Sequence, residues 1–142
     1  MFCSLAMVTM HDGEQRELEF LHDGLRLLSR CETTGALLAC RIRRCFESVE
    51  KTYYLHVGAL DGRVQMPVEV TADQQFLVID RGWVSLSELR CGDTLRTRHG
   101  DRVAIELIEC SNDVDNVYSF ELDGSQSCFI GGIGLEARHR AN

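Results

Sequence analysis

Slid along itself by 68 positions, the chain repeats its own punctuation. Val8 falls on Phe76, Met10 on Val78, Asp12 on Asp80, Leu18 on Leu86, Leu21 on Leu89, Gly24 on Gly92 and Leu27 on Leu95. A slightly shorter shift sets Thr52-Tyr53-Tyr54 on Val117-Tyr118-Ser119. Shared strand, turn, leucine and glycine positions predict a duplicated β unit, with pseudo-repeats at about 5–60 and 70–130. At 142 residues the chain has room for one domain over 1–142, with a substantial core.

Within the second copy the pattern is densest from Val70 to Thr97. Val68–Val70 and Phe76–Ile79 read as strands, with a turn at Asp80-Arg81-Gly82. Trp83-Val84, a short Leu86–Leu89 segment, a Gly92-Asp93 turn and Thr94–Thr97 follow. Alternating apolar residues between Gly/Asp turns predict an antiparallel meander. Elsewhere, strands are expected in Met1–Met10, at Leu25–Leu28, over 35–46 and 52–57, over 103–109 and 117–122, and at Cys128–Ile130. No stretch combines helix caps with a sustained 3.6-residue period. The expected class is all-β.

Charge and cysteine usage narrow the function classes. A net charge of −7 argues against a nucleic-acid surface, which needs clustered Lys and Arg. The one dense basic cluster, Arg41–Arg44, reads as a solvated strand face. No apolar run reaches the roughly 18 residues that span a bilayer, and no signal peptide is visible, so no membrane partner is expected. Seven cysteines at 3, 31, 40, 45, 91, 110 and 128 form no C-x-x-C. No metal site, cofactor or disulfide framework is therefore expected; mostly buried, reduced thiols in a cytoplasmic protein are.

The Val70–Thr97 grammar resembles the Hint superfamily: inteins, bacterial intein-like domains and hedgehog autoprocessing domains. Those carry a Thr-x-x-His turn, an apolar strand, a Gly-Trp and a Leu-x-x-Gly-Asp turn. Here the matching residues are Thr71-Ala72-Asp73-Gln74, Phe76–Ile79, Gly82-Trp83 and Leu89-Arg90-Cys91-Gly92-Asp93. The resemblance implies a flattened, pseudo-twofold β disk with both termini near its middle. It also implies self-cleaving chemistry. An N-terminal Cys or Ser attacks the preceding carbonyl, the Thr and His polarise the peptide and protonate the leaving amine, and in splicing members a His-Asn end cyclises. Imidazole suits that proton traffic because it titrates near neutrality.

Residue by residue, this chain departs from that set. Phe2, Val8, Asp12 and Gly13 fit the family's spacing with Met1 at the nucleophile position. A thioether does not attack as a thiolate does. Cys3 lies two residues later and is the candidate substitute, placed by strand alternation on the side of Met1. Gln74 replaces the His, and a carboxamide donates hydrogen bonds without exchanging protons at neutral pH. Thr71 and Asp73 remain as candidates, although an Asp in such a turn commonly closes an Asx-turn. In VYSFELDGSQSCFIGG the family's Asp or Cys and its His fall on Ser119 and Gln126, with Cys128 nearby but off register. The chain ends Arg138-His139-Arg140-Ala141-Asn142, so Asn142 and His139 are candidates while Ala141 stands where a His is usual.

Residues that act as one catalytic unit fail together. The expectation is a Hint-fold domain that lacks autoprocessing and serves as an interaction, inhibitory or accessory module for an unidentified protein partner. The rival expectation is an autoprocessing domain acting on its own flanking sequences, either with Met1 standing in place of a first Cys and Asn142 as its last residue, or through Cys3 and Asn142. A third, an unrelated β-barrel enzyme with a cysteine nucleophile, lacks a His placed by any local motif.

Overall fold

The computed structural model describes residues 1–138. The chain forms twelve strands: β1 (Phe2–Cys3), β2 (Met7–Thr9), β3 (Gln15–Glu17), β4 (Arg26–Arg30), β5 (Leu37–Val57), β6 (Val68–Val70), β7 (Gln75–Val78), β8 (Gly82–Ser85), β9 (Thr94–Arg96), β10 (Arg102–Leu122), β11 (Ser127–Ile130) and β12 (Leu135–Arg138). Single 3-10 turns at Leu18–Phe20 and Leu86–Glu88 are the only helical elements among the described residues. The strands join in one antiparallel sheet, in the order β3-β2-β11-β12-β7-β9-β10-β1-β6-β5-β4. β8 pairs with β7, and β5 also pairs with β10.

The 68-residue correspondence extends to the pairing. Met7, Val8 and Thr9 face Glu17, Arg16 and Gln15. Gln75, Phe76 and Leu77 face Ser85, Val84 and Trp83 in the same way. Met10 bridges to Leu27, and Val78 to Leu95. The Leu18 amide donates to the Ala6 carbonyl, and the Leu86 amide to that of Gln74. Leu18, Leu86, Leu27 and Leu95 are all buried, so the repeated leucines are core contacts. At the centre, the Phe2 and Phe120 rings stack with centroids 6.4 Å apart.

Four expectations need correction. The strands expected over 35–46 and 52–57 are one continuous β5, and those over 103–109 and 117–122 are one continuous β10. The intervening residues are mostly polar, their Val49 and Val114 are exposed, and they show no apolar alternation. Backbone pairing carries them instead: Lys51 with Val114, Glu50 with Asp115 and Val49 with Asn116. A bulge is absorbed at Asn112, whose φ is +63°. Met1–Met10 is two strands, broken by a turn in which the Ala6 amide donates to the Cys3 carbonyl at 3.0 Å. The thiols are all free, but only Cys3, Cys40 and Cys128 are buried, while Cys45 and Cys91 are exposed.

Cysteine environments set an expected order of alkylation. The Thr34 hydroxyl, then the Thr34 and Thr33 amides, hold the Cys31 thiol below its usual range. Burial and then Asp23 push Cys45 up. Thiolate fraction gains more from a lowered pKa than nucleophilicity loses. Iodoacetamide at neutral pH is therefore expected to modify Cys31 before Cys45 and to spare Cys40 and Cys128 in the folded protein. Site-resolved peptide mass spectrometry reads this. Labelling of Cys128 at the rate of Cys45 would contradict the packing.

Candidate functional site

β6 ends at Val70, and the chain turns through Thr71–Gln74 before entering β7. The Gln74 amide closes that turn on the Thr71 carbonyl at 3.2 Å. In the 68-residue correspondence it matches the Cys3–Ala6 turn between β1 and β2. Phe2 pairs with Val70, so the two turns flank one strand contact. The Thr71 amide donates to the Met1 carbonyl at 3.0 Å, extending that pairing to the first residue.

The Met1 nitrogen is therefore held in the turn. It donates to Thr71 Oγ1 at 2.9 Å and to Gln74 Oε1 at 2.9 Å. The orientation of the Gln74 amide follows from its other partners. Its Nε2 donates to the Gln75 carbonyl at 2.9 Å and to the Arg138 carbonyl at 3.1 Å, so its oxygen must face Met1. The Thr71 hydroxyl has one proton. Asp73 Oδ1 at 2.6 Å is its near acceptor, against 3.4 Å for the Met1 carbonyl. Thr71 and Gln74 are both buried. Burial lowers the pKa of the Met1 amine below its ordinary value, with Asp73 opposing.

This arrangement binds the nitrogen at position 1 by two oxygen acceptors. It orients that N–H without supplying it a proton, because Gln74 does not titrate and the Thr71 proton is committed to Asp73. Gln74 also joins the two ends of the described chain. β12 pairs with β7 through Ala137–Phe76 and Arg138–Gln75. The Arg138 guanidinium lies over the Trp83 ring, 4.8 Å from its centroid, and donates to Gln75 Oε1 at 2.7 Å. One carboxamide thus touches both the first residue and the end of the last strand.

The remaining predicted residues are scattered around this centre. Cys3 turns its sulfur to Asp115 Oδ2 at 3.3 Å. Burial, the largest cause, pushes its thiol up to about 11. Ser119 sits in β10 opposite Phe46 and is buried. Gln126 precedes β11, and its side-chain oxygen is buried with no hydrogen-bond partner among the described residues. His139, Ala141 and Asn142 lie outside the described residues. Cys128 is fully buried on β11, and burial, opposed by the positive Met1 amine, pushes its thiol above the ordinary range.

A separate pocket of about 460 Å³ is lined by Arg30, Cys31, Glu32, Trp83, Arg96 and Glu136 among others, and by none of the residues that hold Met1. Among these lining residues Glu136 accepts from Arg30 Nε and from Arg96 Nη2, the latter at 2.6 Å.

No protein-family model matches the chain, and no curated protein matches it in sequence. Solved structures do match in fold. A bacterial intein-like domain from Clostridium thermocellum superposes with a TM-score of 0.84 at 19% identity, covering 97% of each chain. The DnaB intein from Synechocystis sp. PCC 6803 gives 0.83 at 18% identity, covering 99% of this chain and 98% of that one. The gp41-1 intein gives 0.77 at 17% identity, covering 97% of each. With its paired repeats, its all-antiparallel sheet and its first residue held in the Thr71–Gln74 turn, the chain has the Hint fold of inteins and intein-like domains.

Proposed function

We propose that this chain is a Hint-fold domain that has kept the scaffold of autoprocessing and lost its N-terminal step, and that it serves as a protein-binding module. The observation that carries this reading is the pairing around Met1. The nitrogen that would leave in an acyl shift meets two acceptors, Thr71 Oγ1 and Gln74 Oε1. General acid catalysis needs a group that gives up a proton near neutral pH, and its absence costs roughly 10²–10⁴-fold in rate. A thioether stands at the nucleophile position, and the Cys3 sulfur is engaged by Asp115. Gln74 acts here as a latch between the first residue and β12.

The binding surface in this reading is the face around Met1–Cys3, Thr71–Gln74 and Ser119–Gln126, where Asp73, Asp123 and Gly124 are exposed over buried neighbours. Leu5, on the turn beside it, is 70% exposed and gives that surface an apolar contact. The partner is a protein rather than a nucleic acid, given the acidic balance. Free thiols suit a reducing, cytoplasmic setting. No helix among the described residues is long and apolar enough to cross a membrane.

The test is intact mass of the chain fused at both ends to small folded domains, followed for a day with and without a thiol. The mass is expected to stay unchanged in a sample that circular dichroism shows to be folded. New masses that break before Met1 or Cys3, or after Asn142, would establish autoprocessing and name its nucleophile.

A further inference from the structure

The sheet register brings together three side chains that the sequence keeps apart. β1 runs between β6 and β10, with Phe2 opposite Val70 and Cys3 opposite Val117. One step further along the β1–β6 pairing sets Cys3 beside Glu69. Two residues before Val117 on β10, on the same face by alternation, lies Asp115. Cys3 Sγ and one carboxylate oxygen each from Glu69 and Asp115 lie within 4.8 Å of one another.

We propose that Cys3, Glu69 and Asp115 form a binding site for a divalent transition-metal ion, with zinc the best fit. The donor set is one thiolate and two carboxylates; zinc accepts both in tetrahedral sites, while the thiolate disfavours hard ions such as magnesium or calcium, whose ligands are oxygens. Zinc–sulfur and zinc–oxygen bonds of about 2.3 and 2.0–2.2 Å place neighbouring tetrahedral ligands roughly 3.5 Å apart. The Cys3–Asp115 pair is already at 3.3 Å. The local charge also calls for a cation. Among the described residues no Lys, Arg or His forms an ion pair with the half-buried Glu69 or Asp115, whereas the buried Glu136 has two arginines.

A second feature lies outside the three ligands. Thr52 is fully buried and donates to Glu69 Oε2 at 2.6 Å, and Thr52 in turn is held by Ser111 at 2.8 Å. Such outer hydrogen bonds fix the orientation of ligating carboxylates. Binding releases the Cys3 proton to solvent and forms a sulfur–metal bond. Three protein ligands leave a fourth position for water or an incoming donor. Because the site ties β1 to both neighbouring strands, it would act on the segment leading to Met1. It stands independently of whether the chain processes itself.

The test is titration of the reduced, chelator-free full chain with Co²⁺, followed by displacement with Zn²⁺. One equivalent is expected to produce a sulfur-to-cobalt charge-transfer band that zinc abolishes. Cys3→Ser should remove the band, whereas Cys45→Ser and Cys91→Ser, at the exposed thiols, should retain it. Glu69→Gln and Asp115→Asn should each weaken binding by at least about ten-fold, the lower bound even for outer-shell changes. Absence of a band in folded wild-type protein overturns the proposal, as does a band that survives Cys3→Ser. If Cys3→Ser does not fold, unchanged affinity in both carboxamide variants overturns it equally.

Discussion

Glu136→Gln is expected to destabilise the fold by about 3 kcal/mol, the low end for removing one partner of a buried ion pair. The Glu136 side chain is 1% exposed, while Arg30 and Arg96 are 18% and 35% exposed. The arginines retain some water, which holds the estimate at the low end. Glu136 sits on β12, Arg30 on β4 and Arg96 on β9, so the clamp joins three segments distant in sequence. A glutamine offers one acceptor where two guanidinium groups converge and turns an N–H toward one of them. Arg30 would keep its bonds to the Gly35 and Arg98 carbonyls, but Arg96 would lose both that it makes to Glu136. With a urea m-value of roughly 2 kcal/mol/M, the midpoint falls by about 1.5 M. Glu121→Gln is the control. Its contact with Arg43, at 3.9 Å between half-exposed side chains, should contribute less than about 1 kcal/mol. A loss below 1 kcal/mol for Glu136→Gln would mean that the clamp contributes little beyond its packing.

The second large effect is a gain. Met1→Cys combined with Gln74→His is expected to create thiol-dependent cleavage before residue 1 when another domain is fused there. Each single change should leave the fusion intact. Met1→Cys supplies a nucleophile with no proton donor for the leaving amine, and Gln74→His supplies a donor with nothing to attack. Groups that work as a unit show such non-additivity. The geometry favours the outcome because position 74 already touches the residue 1 nitrogen at 2.9 Å and Thr71 already flanks it. General acid assistance should account for roughly 10²–10⁴-fold of the difference from Met1→Cys alone. Cleavage is read by intact mass with and without added thiol. An intact double variant that remains folded would show that the lost chemistry involves more than these two positions, with the positions of Ser119 and Gln126 the next to test.

Legibility differed between local and distant features. The turns at Asp80 and Gly92 announced themselves, since a left-handed backbone favours Gly, Asp and Asn: φ is +69° at Asp80 and +91° at Gly92. The repeated leucines were equally plain, because each must fill the same place in its own copy. In β5 and β10 the middle residues bury little and leave no alternation in the sequence, and mutual backbone pairing keeps them extended. Gln74 is visible in the sequence as a departure from the Thr-x-x-His pattern. Its bond to the Arg138 carbonyl had no trace in local sequence, since it depends on β12 pairing with β7.

The order of apolar residues, glycines and aspartates determined by itself that this chain builds two like β units with antiparallel meanders. Those choices are local: side-chain alternation and backbone torsion act over a few residues. Only the tertiary structure decided which strands became neighbours across the repeat. That pairing placed Cys3 against Asp115, Glu136 between two arginines, and Gln74 between the first residue and the last described strand. Such contacts span 40 to 112 residues of chain. Their energy comes from burial and charge pairing that exist only once the sheet has closed.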